Sequence, residues 1–463
     1  MPLLIYNLIL LLLSPLIVLY LLFRLSKGKE DRERWGERWG RYGEDVSRDT
    51  RTPRFWVHAV SVGEVMAAIP VLRELRQRYP EAFILLSTTT IGGREVAQKQ
   101  KPPADAVVYY PLDTPFAVRD ALAAARPDVV ILMEWEIWSN FLTAAKRQGA
   151  KIAVLNGRIS DKGLRRGQRG QVFTRPGLNS VDLFAMQSAE DSRRATLVGA
   201  DPAKVQTFGN TKFDESLTPL SQAERAVLRA DLGIPEGVPV WICGSTRDDT
   251  DSAAPDEETL VAAAANRVRE RFPNLFLIVA PRHLERTPQA AAALEAAGWN
   301  VLRRSQQPPS PLSPRPPLPS PHAWGEGRGS GEAGGVGRRQ TALLLDTFGE
   351  LAKVYAVADV AFVGGSLVRR GGQSVFQPLA QGVPVVFGPY MNNQRDIAAL
   401  SIAEGVGFSV TDSTTLAAEV VRLLSLPEAD REALSVRARS LIERNQGVAA
   451  RCLDAVAGLL ERS

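Results

Sequence analysis

Glu64 is the first residue that invites chemistry. It closes the tetrapeptide Ser61-Val62-Gly63-Glu64, between an apolar run and a helical pattern. A carboxylate at a helix start contributes up to about 1 kcal/mol by its charge alone and needs no further role. At the end of a buried parallel strand, however, it faces the ligand edge of a doubly wound sheet, where it can accept a proton. Gly63 is expected to let the backbone turn tightly there. Three further turns bear on the choice. Gly244-Ser245-Thr246, Ala280-Pro281-Arg282-His283 and the stretch 363–378, "VGGSLVRRGGQSVFQP", each follow an apolar run. The last holds Gly364, Gly365, Ser366, Gly371, Gly372, Gln373, Ser374 and Gln377, with a helix expected from near Ser374. Small residues admit an anion to the backbone, and the free N–H groups of a helix start attract it. Arg282 adds a two-pronged phosphate contact. The pattern GxxxxGK followed by Ser or Thr is absent, which argues against a P-loop NTPase, and no GxGxxG follows the first strand.

These turns need strands to carry them. Apolar runs at 55–60, 83–87, 106–109, 129–133, 152–155, 183–186 and 205–208 alternate with helical patterns. A second series follows at 239–243, 275–279, 300–302, 342–345, 360–363 and 383–387. Such alternation predicts parallel sheets with helices on both faces. Two doubly wound α/β domains in tandem are expected, 51–214 and 215–445, with a last helix (446–463) returning to the first. The stretch 305–340 is Pro-rich and then Gly-rich, with almost no apolar content, and reads as a disordered surface insertion.

The chain begins with residues 3–23, which carry no charge. Twenty such residues span about 30 Å, the thickness of a hydrocarbon core, so 1–23 reads as a transmembrane anchor. The segment shows no polar face of the kind that marks a helix lying on a membrane. A basic segment (24–50) follows, with Arg24, Lys27, Lys29, Arg32, Arg34, Arg38 and Arg41, placing the rest of the chain on the cytoplasmic side. The net charge of +5 suits work beside an anionic inner leaflet or on anionic substrates. No basic-aromatic interleaving suggests nucleic acid. Two cysteines, Cys243 and Cys452, make no disulfide framework, and three unclustered histidines make no metal site. His58, on the first strand, is expected to be a hydrogen-bonded core residue.

The order of motifs is more specific. "HAVSVGEV", "STTTIGGREVA", "MEWEIWSNFL", "NGRISDKG", "GNTKFD", "GST", "APRH", "ADVAFVGGSLVRRGGQ" and "GVPVVFGPYMNNQRDIA" occur in sequence. In these segments the chain resembles the 3-deoxy-D-manno-octulosonic acid (Kdo) transferases of lipopolysaccharide synthesis, over nearly its whole length apart from 305–340. The resemblance implies GT-B architecture: two Rossmann-like domains facing a cleft, behind an N-terminal membrane-anchor helix. It implies a metal-independent, inverting transfer of Kdo from CMP-Kdo to the tetra-acylated lipid A precursor (lipid IVA), without a cofactor. The enzyme would be a single-pass protein of the inner membrane, with its catalytic domains on the cytoplasmic face. Glu64 matches the family's catalytic base. Ser245, Thr246, Arg282, His283 and the 364–377 stretch would hold the donor. Ser61, Gly63, Thr89, Glu134, Glu136 and Arg158 fall in motifs assigned to the acceptor side. The family usually has "GGHNxxEP" where this chain has "GGQSVFQP", so Gln373, Ser374 and Gln377 replace His, Asn and Glu. That departure keeps two alternatives in view. One is a GT-B enzyme with another sugar donor, or a sugar-nucleotide epimerase. The other is a non-catalytic, membrane-tethered binder of the lipid A precursor.

Overall fold

The computed structural model describes residues 2–27, 30–215, 219–249, 254–307 and 341–461. From residue 308 on, the insertion expected at 305–340 lies outside the described residues. Two compact units emerge, Met1–Glu215 with Asn445–Ser463, and Ser216–Arg444.

The first unit holds β1 (Arg54–His58), β2 (Phe83–Thr88), β3 (Ala106–Tyr109), β4 (Val129–Met133), β5 (Lys151–Gly157), β6 (Leu183–Met186) and β7 (Val205–Thr207). All pair in parallel, in the order β3-β2-β1-β4-β5-β6-β7. β1, β2, β4 and β6 are buried at every residue, which is why they read as near-continuous apolar stretches rather than alternating ones. The strand order reverses between β1 and β4, and a doubly wound sheet binds its ligands outside the carboxyl ends at such a switch.

The second unit repeats the scheme with β8 (Val240–Thr246), β9 (Phe276–Pro281), β10 (Asn300–Arg303), β11 (Thr341–Leu344), β12 (Val360–Val363), β13 (Val385–Phe387) and β14 (Gly407–Ser409). Their order is β10-β11-β9-β8-β12-β13-β14, with the switch between β8 and β12. The sequence pattern led to six strands here; β14 is the seventh. It is three residues long, opens on Gly407 and lies at the sheet edge, so it carries no apolar run to detect.

Eight helices matter for function: α1 (Pro2–Ser26), α2 (Val62–Arg78), α3 (Ile91–Gln100), α4 (Ser139–Arg147), α5 (Asp161–Ser180), α6 (Glu257–Arg271), α7 (Phe376–Ala380) and α8 (Val448–Glu461). α8 packs in the first unit. Its Val448, Cys452, Leu453 and Val456 share a core with Val65, Ala68 and Leu72 of α2. Asp214 fastens its start, accepting from the N–H groups of Gly447 and Ala449, both at 2.6 Å. Cys243 and Cys452 are free and buried.

The basic segment after α1 is built into the first unit. Arg38 is buried, donates to Glu30 (3.1 Å) and to the Thr89 carbonyl, and lies over the Tyr109 ring. Glu37 is buried too and accepts from Arg94 of α3 and from the Tyr109 N–H, both at 2.7 Å. Buried charges persist only when paired in this way. Arg24 is likewise paired with Glu30, at 2.8 Å. Arg24 and Arg38 are thus committed to protein carboxylates rather than left for lipid phosphates. α1 is long and apolar enough to cross a membrane. It nevertheless bonds to the folded unit near its start: Tyr6 donates to Asp113 and Asn140 donates to Asn7.

Candidate active site

In the first unit the switch point carries three carboxylates. Glu64 stands in the first turn of α2, directly after β1; Glu134 and Glu136 follow β4. Glu64 Oε2 accepts from the Val60 N–H (2.8 Å) and Oε1 from the Ser61 hydroxyl (3.0 Å). Both bonds tie Glu64 back to the turn that precedes α2, whose N-cap Ser61 makes no side-chain cap bond of its own. Glu64 is only 8% exposed. Burial, and then the neighbouring charge of Glu134, hold its carboxyl group up at about 7, against the pull of the Val60 and Ser61 bonds. Glu136 is also held at about 7, by burial first; it accepts from Trp138 Nε1 at 3.0 Å. Glu134 has φ +59°, a left-handed backbone that costs a non-glycine residue about 1–2 kcal/mol. Strain, desolvation and mutual repulsion thus meet at the sheet edge where a ligand would lie. A carboxyl group poised near 7 suits general base work at neutral pH.

In the second unit the switch point is basic. Arg247 leaves β8, Arg282 and His283 leave β9, and Arg370 lies in the turn after β12. Burial, with the charges of Arg370 and Arg282, pulls the Arg247 guanidinium down from its ordinary value. Partial desolvation, then the charges of Arg247 and Arg282, lower the His283 imidazole as well. Arg370 pairs with Asp248 at 2.6 Å. Arg247 Nε is buried and donates to no partner among the described residues. A crowd of cations with an unused donor is a site for a phosphate.

Glu257, the first residue of α6, organises this edge from beneath. Its carboxylate is fully buried and accepts from the N–H groups of Gly365 (2.5 Å), Ser366 (2.9 Å), Leu367 (2.9 Å) and Arg247 (3.0 Å). The amides expected to cradle a phosphate at 365–366 are thus already taken by an internal anion. Burial holds Glu257 up at about 7 in spite of those four bonds.

Outside the molecule, residues 33–215 match the family model described as 3-deoxy-D-manno-octulosonic-acid transferase (kdotransferase). The 3-deoxy-D-manno-octulosonic acid transferase of Bordetella pertussis is 36% identical over 459 residues, covering 98% of each chain. The chain belongs to the Kdo transferase family. Its counterpart of the same description in Haemophilus influenzae is 28% identical, covering 99% of each chain. UDP-GlcNAc 2-epimerase of Neisseria meningitidis superposes with a TM-score of 0.57 over 88% of this chain and 99% of its own. At 13% identity that likeness shows the fold alone, the two-Rossmann-domain architecture of GT-B enzymes.

For this Kdo transferase family member, the residues singled out from sequence divide into groups. Glu64, Glu134, Glu136 and Ser61 come together at one edge, and Arg158 follows β5 at the same edge. Thr89 stands after β2, and its hydroxyl is buried without a partner among the described residues. Gly63 is not needed for the turn: its φ is not positive, and a Cβ would meet nothing closer than Ser61 Oγ at 4.0 Å. Arg282 and His283 are exposed after β9. Ser245 holds φ +57° beside them, whereas the Thr246 hydroxyl turns inward to Glu258 at 2.9 Å and leaves the donor edge. Gly364 is required by close approach, since a Cβ there would lie 2.3 Å from the Ser245 carbonyl. Ser366 spends its hydroxyl on the Val363 carbonyl and accepts from the Gly388 N–H. Gly371 and Gly372 hold φ +89° and +77° in the turn that leads to Gln373 and Ser374, both half-exposed. The helix expected at Ser374 begins at Phe376 and is five residues long, with Gln377 half-exposed in it.

His58 is the core residue expected. It is fully buried, bonded through Nδ1 to Ser87 Oγ (2.9 Å) and stacked on Tyr110 at 3.9 Å, and burial drops its imidazole to about 3. Sequence reasoning assigned no role in the site to Arg247 or Glu257. Arg247 stands directly after Gly244-Ser245-Thr246 and was legible there; Glu257 looks like any acidic first-turn residue.

Proposed function

We propose that this chain transfers Kdo from CMP-Kdo to a hydroxyl of the tetra-acylated lipid A precursor, with inversion, at the cytoplasmic face of the inner membrane. The acceptor hydroxyl gives its proton to the Glu64 carboxylate. Its oxygen bonds to the anomeric carbon as the bond from that carbon to the CMP phosphate oxygen breaks. The electron pair leaves with cytidylate. Arg247 and Arg282 meet the growing phosphate charge, which fixed cations stabilise best when water is excluded. His283 and the 371–377 turn complete the donor side; Glu134, Glu136 and Arg158 flank the acceptor side.

One observation carries this reading: in a Kdo transferase family member, the carboxylate at the switch point of the first sheet is buried beside a second carboxylate and held near 7. A purely capping Glu would be solvated and ionise in the ordinary carboxylate range. The relatives named as Kdo transferases support the sugar. The replacements at Gln373, Ser374 and Gln377 favour the second reading, another nucleotide-sugar donor.

The test is incubation of the purified full chain with the tetra-acylated precursor and CMP-Kdo, UDP-sugar or ADP-sugar, followed by mass spectrometry of the lipid. Addition of Kdo from CMP-Kdo is the expected result. Faster transfer from either other donor refutes the proposal.

A further inference from the structure

α1 is half-buried along one stripe for its whole length, at positions 3, 7, 10, 14, 17, 21 and 24. Steps of four and three keep these residues on one face from the first turn to the last. The other face is bare and apolar: Leu4, Leu8, Leu12, Leu16 and Leu19 are each more than half exposed. Both ends are tied to the same unit. Tyr6 Oη donates to Asp113 Oδ2 (2.8 Å) and Asn140 Nδ2 donates to Asn7 Oδ1 (2.7 Å). At the other end Arg24 Nε donates to Glu30 (2.8 Å), and Glu30 accepts in turn from buried Arg38.

Tyr6 and Arg24 are roughly 27 Å apart along the helix axis, at 1.5 Å per residue. In a helix crossing a hydrocarbon core of about 30 Å, Tyr6 would be on the far side of the membrane from Arg24. Asp113 and Asn140, which follow β3 and β4 in the folded unit, would then have to reach through the bilayer. The contacts of α1 and a perpendicular crossing exclude each other.

A neighbouring helix bears on what could cover the bare face. α5 packs against α1 and exposes Lys162, Arg165, Arg166, Arg169 and Arg175. None of these five makes an ion pair among the described residues. An apolar ridge bordered by unpaired cations matches the acyl chains and phosphates of an anionic leaflet. A protein partner would have to supply both a long apolar groove and a row of acids.

We infer that α1 lies in the plane of the cytoplasmic leaflet, with the first unit along one side and acyl chains along the other, while the cations of α5 meet phospholipid phosphates. This replaces the single crossing expected for residues 3–23. Unlike a crossing, it leaves no part of the chain in the periplasm.

Two experiments on the full chain in the membranes of a Gram-negative host test the placement. Asn7→Cys with Asn140→Cys is treated with a short bifunctional maleimide, and the peptides are read by mass spectrometry. Leu4→Cys is exposed to a membrane-impermeant maleimide in intact spheroplasts and again after detergent. A cross-linked 7–140 peptide and labelling of Leu4→Cys only after detergent are expected. Labelling from outside, or no cross-linked peptide, overturns the in-plane placement. For α5, the purified chain at low salt should partition at least tenfold better onto phosphatidylglycerol than onto phosphatidylcholine vesicles. Arg165→Glu with Arg166→Glu and Arg169→Glu should remove that preference; a preference that is absent, or that survives, overturns the phosphate contact. None of these readouts is transfer, so they can fail while the Kdo reading stands, and the reverse.

Discussion

Glu64→Gln should make the protein slower and more stable at once. The amide keeps an oxygen for the Val60 N–H or the Ser61 hydroxyl but can no longer accept the acceptor's proton. Loss of a positioned general base costs roughly 10²–10⁴ in kcat. The stability effect follows from the same carboxyl group. Its folded value of about 7 stands above the ordinary 4.5, so the folded state holds the proton more tightly than the unfolded chain does. Ionisation therefore costs stability, fully above pH 7 and not at all below pH 4.5, with the cost growing between the two. At 1.36 kcal/mol per pH unit, the full cost is on the order of 3 kcal/mol. The substitution removes it. Urea denaturation at pH 8 should show the variant more stable than wild type, and at pH 4 nearly equal to it. Initial rates with CMP-Kdo give the other half. A variant with wild-type kcat, or one less stable than wild type at pH 8, refutes the assignment of Glu64 as a desolvated base.

Three further substitutions separate the parts of the site. Glu134→Gln removes the charge that most raises Glu64, so the acid limb of the kcat/KM profile should move to lower pH; an unmoved limb, read from rates between pH 5 and 8, refutes the coupling. Arg247→Ala should raise KM for CMP-Kdo about tenfold or more, since a hydrogen bond to a charged group is worth about 1.5–3 kcal/mol, with a smaller effect on acceptor KM in the same assay. Glu257→Ala leaves four backbone N–H groups without their acceptor and should destabilise the fold by roughly 4 kcal/mol or more, measured by urea denaturation.

The sheets were legible because parallel strands buried on both faces write themselves as apolar runs, and the turns after them mark the ligand edge. Glu64 was legible by position, as the acid that follows the first strand. What its sequence neighbourhood could not show is that Glu134 and Glu136, some seventy residues on, share its edge; strand order decides that, and β4 lies beside β1. Glu257 was hidden for the same reason. It is distant in sequence from the glycine turn it fills, and only folding reveals that those amides are satisfied from within. In the apolar segment, position along the helix carries as much as polarity does. Asn7 and Ser14, two polar interruptions in the apolar run, are seven residues apart and therefore share a helix face. That face is the half-buried one.

The buried charge chain from Glu30 through Arg38, with Glu37 and Arg94 beside it, fixes where the apolar helix can be removed. A shortened form that starts at residue 30 keeps every one of those pairs and should dissolve without detergent. One that starts after residue 40, as a cut made by hydropathy and basic charge would suggest, strips Arg94 of its acid and the Thr89 carbonyl of its donor. Its failure to express would then be an electrostatic injury to the first unit rather than the loss of a membrane tether.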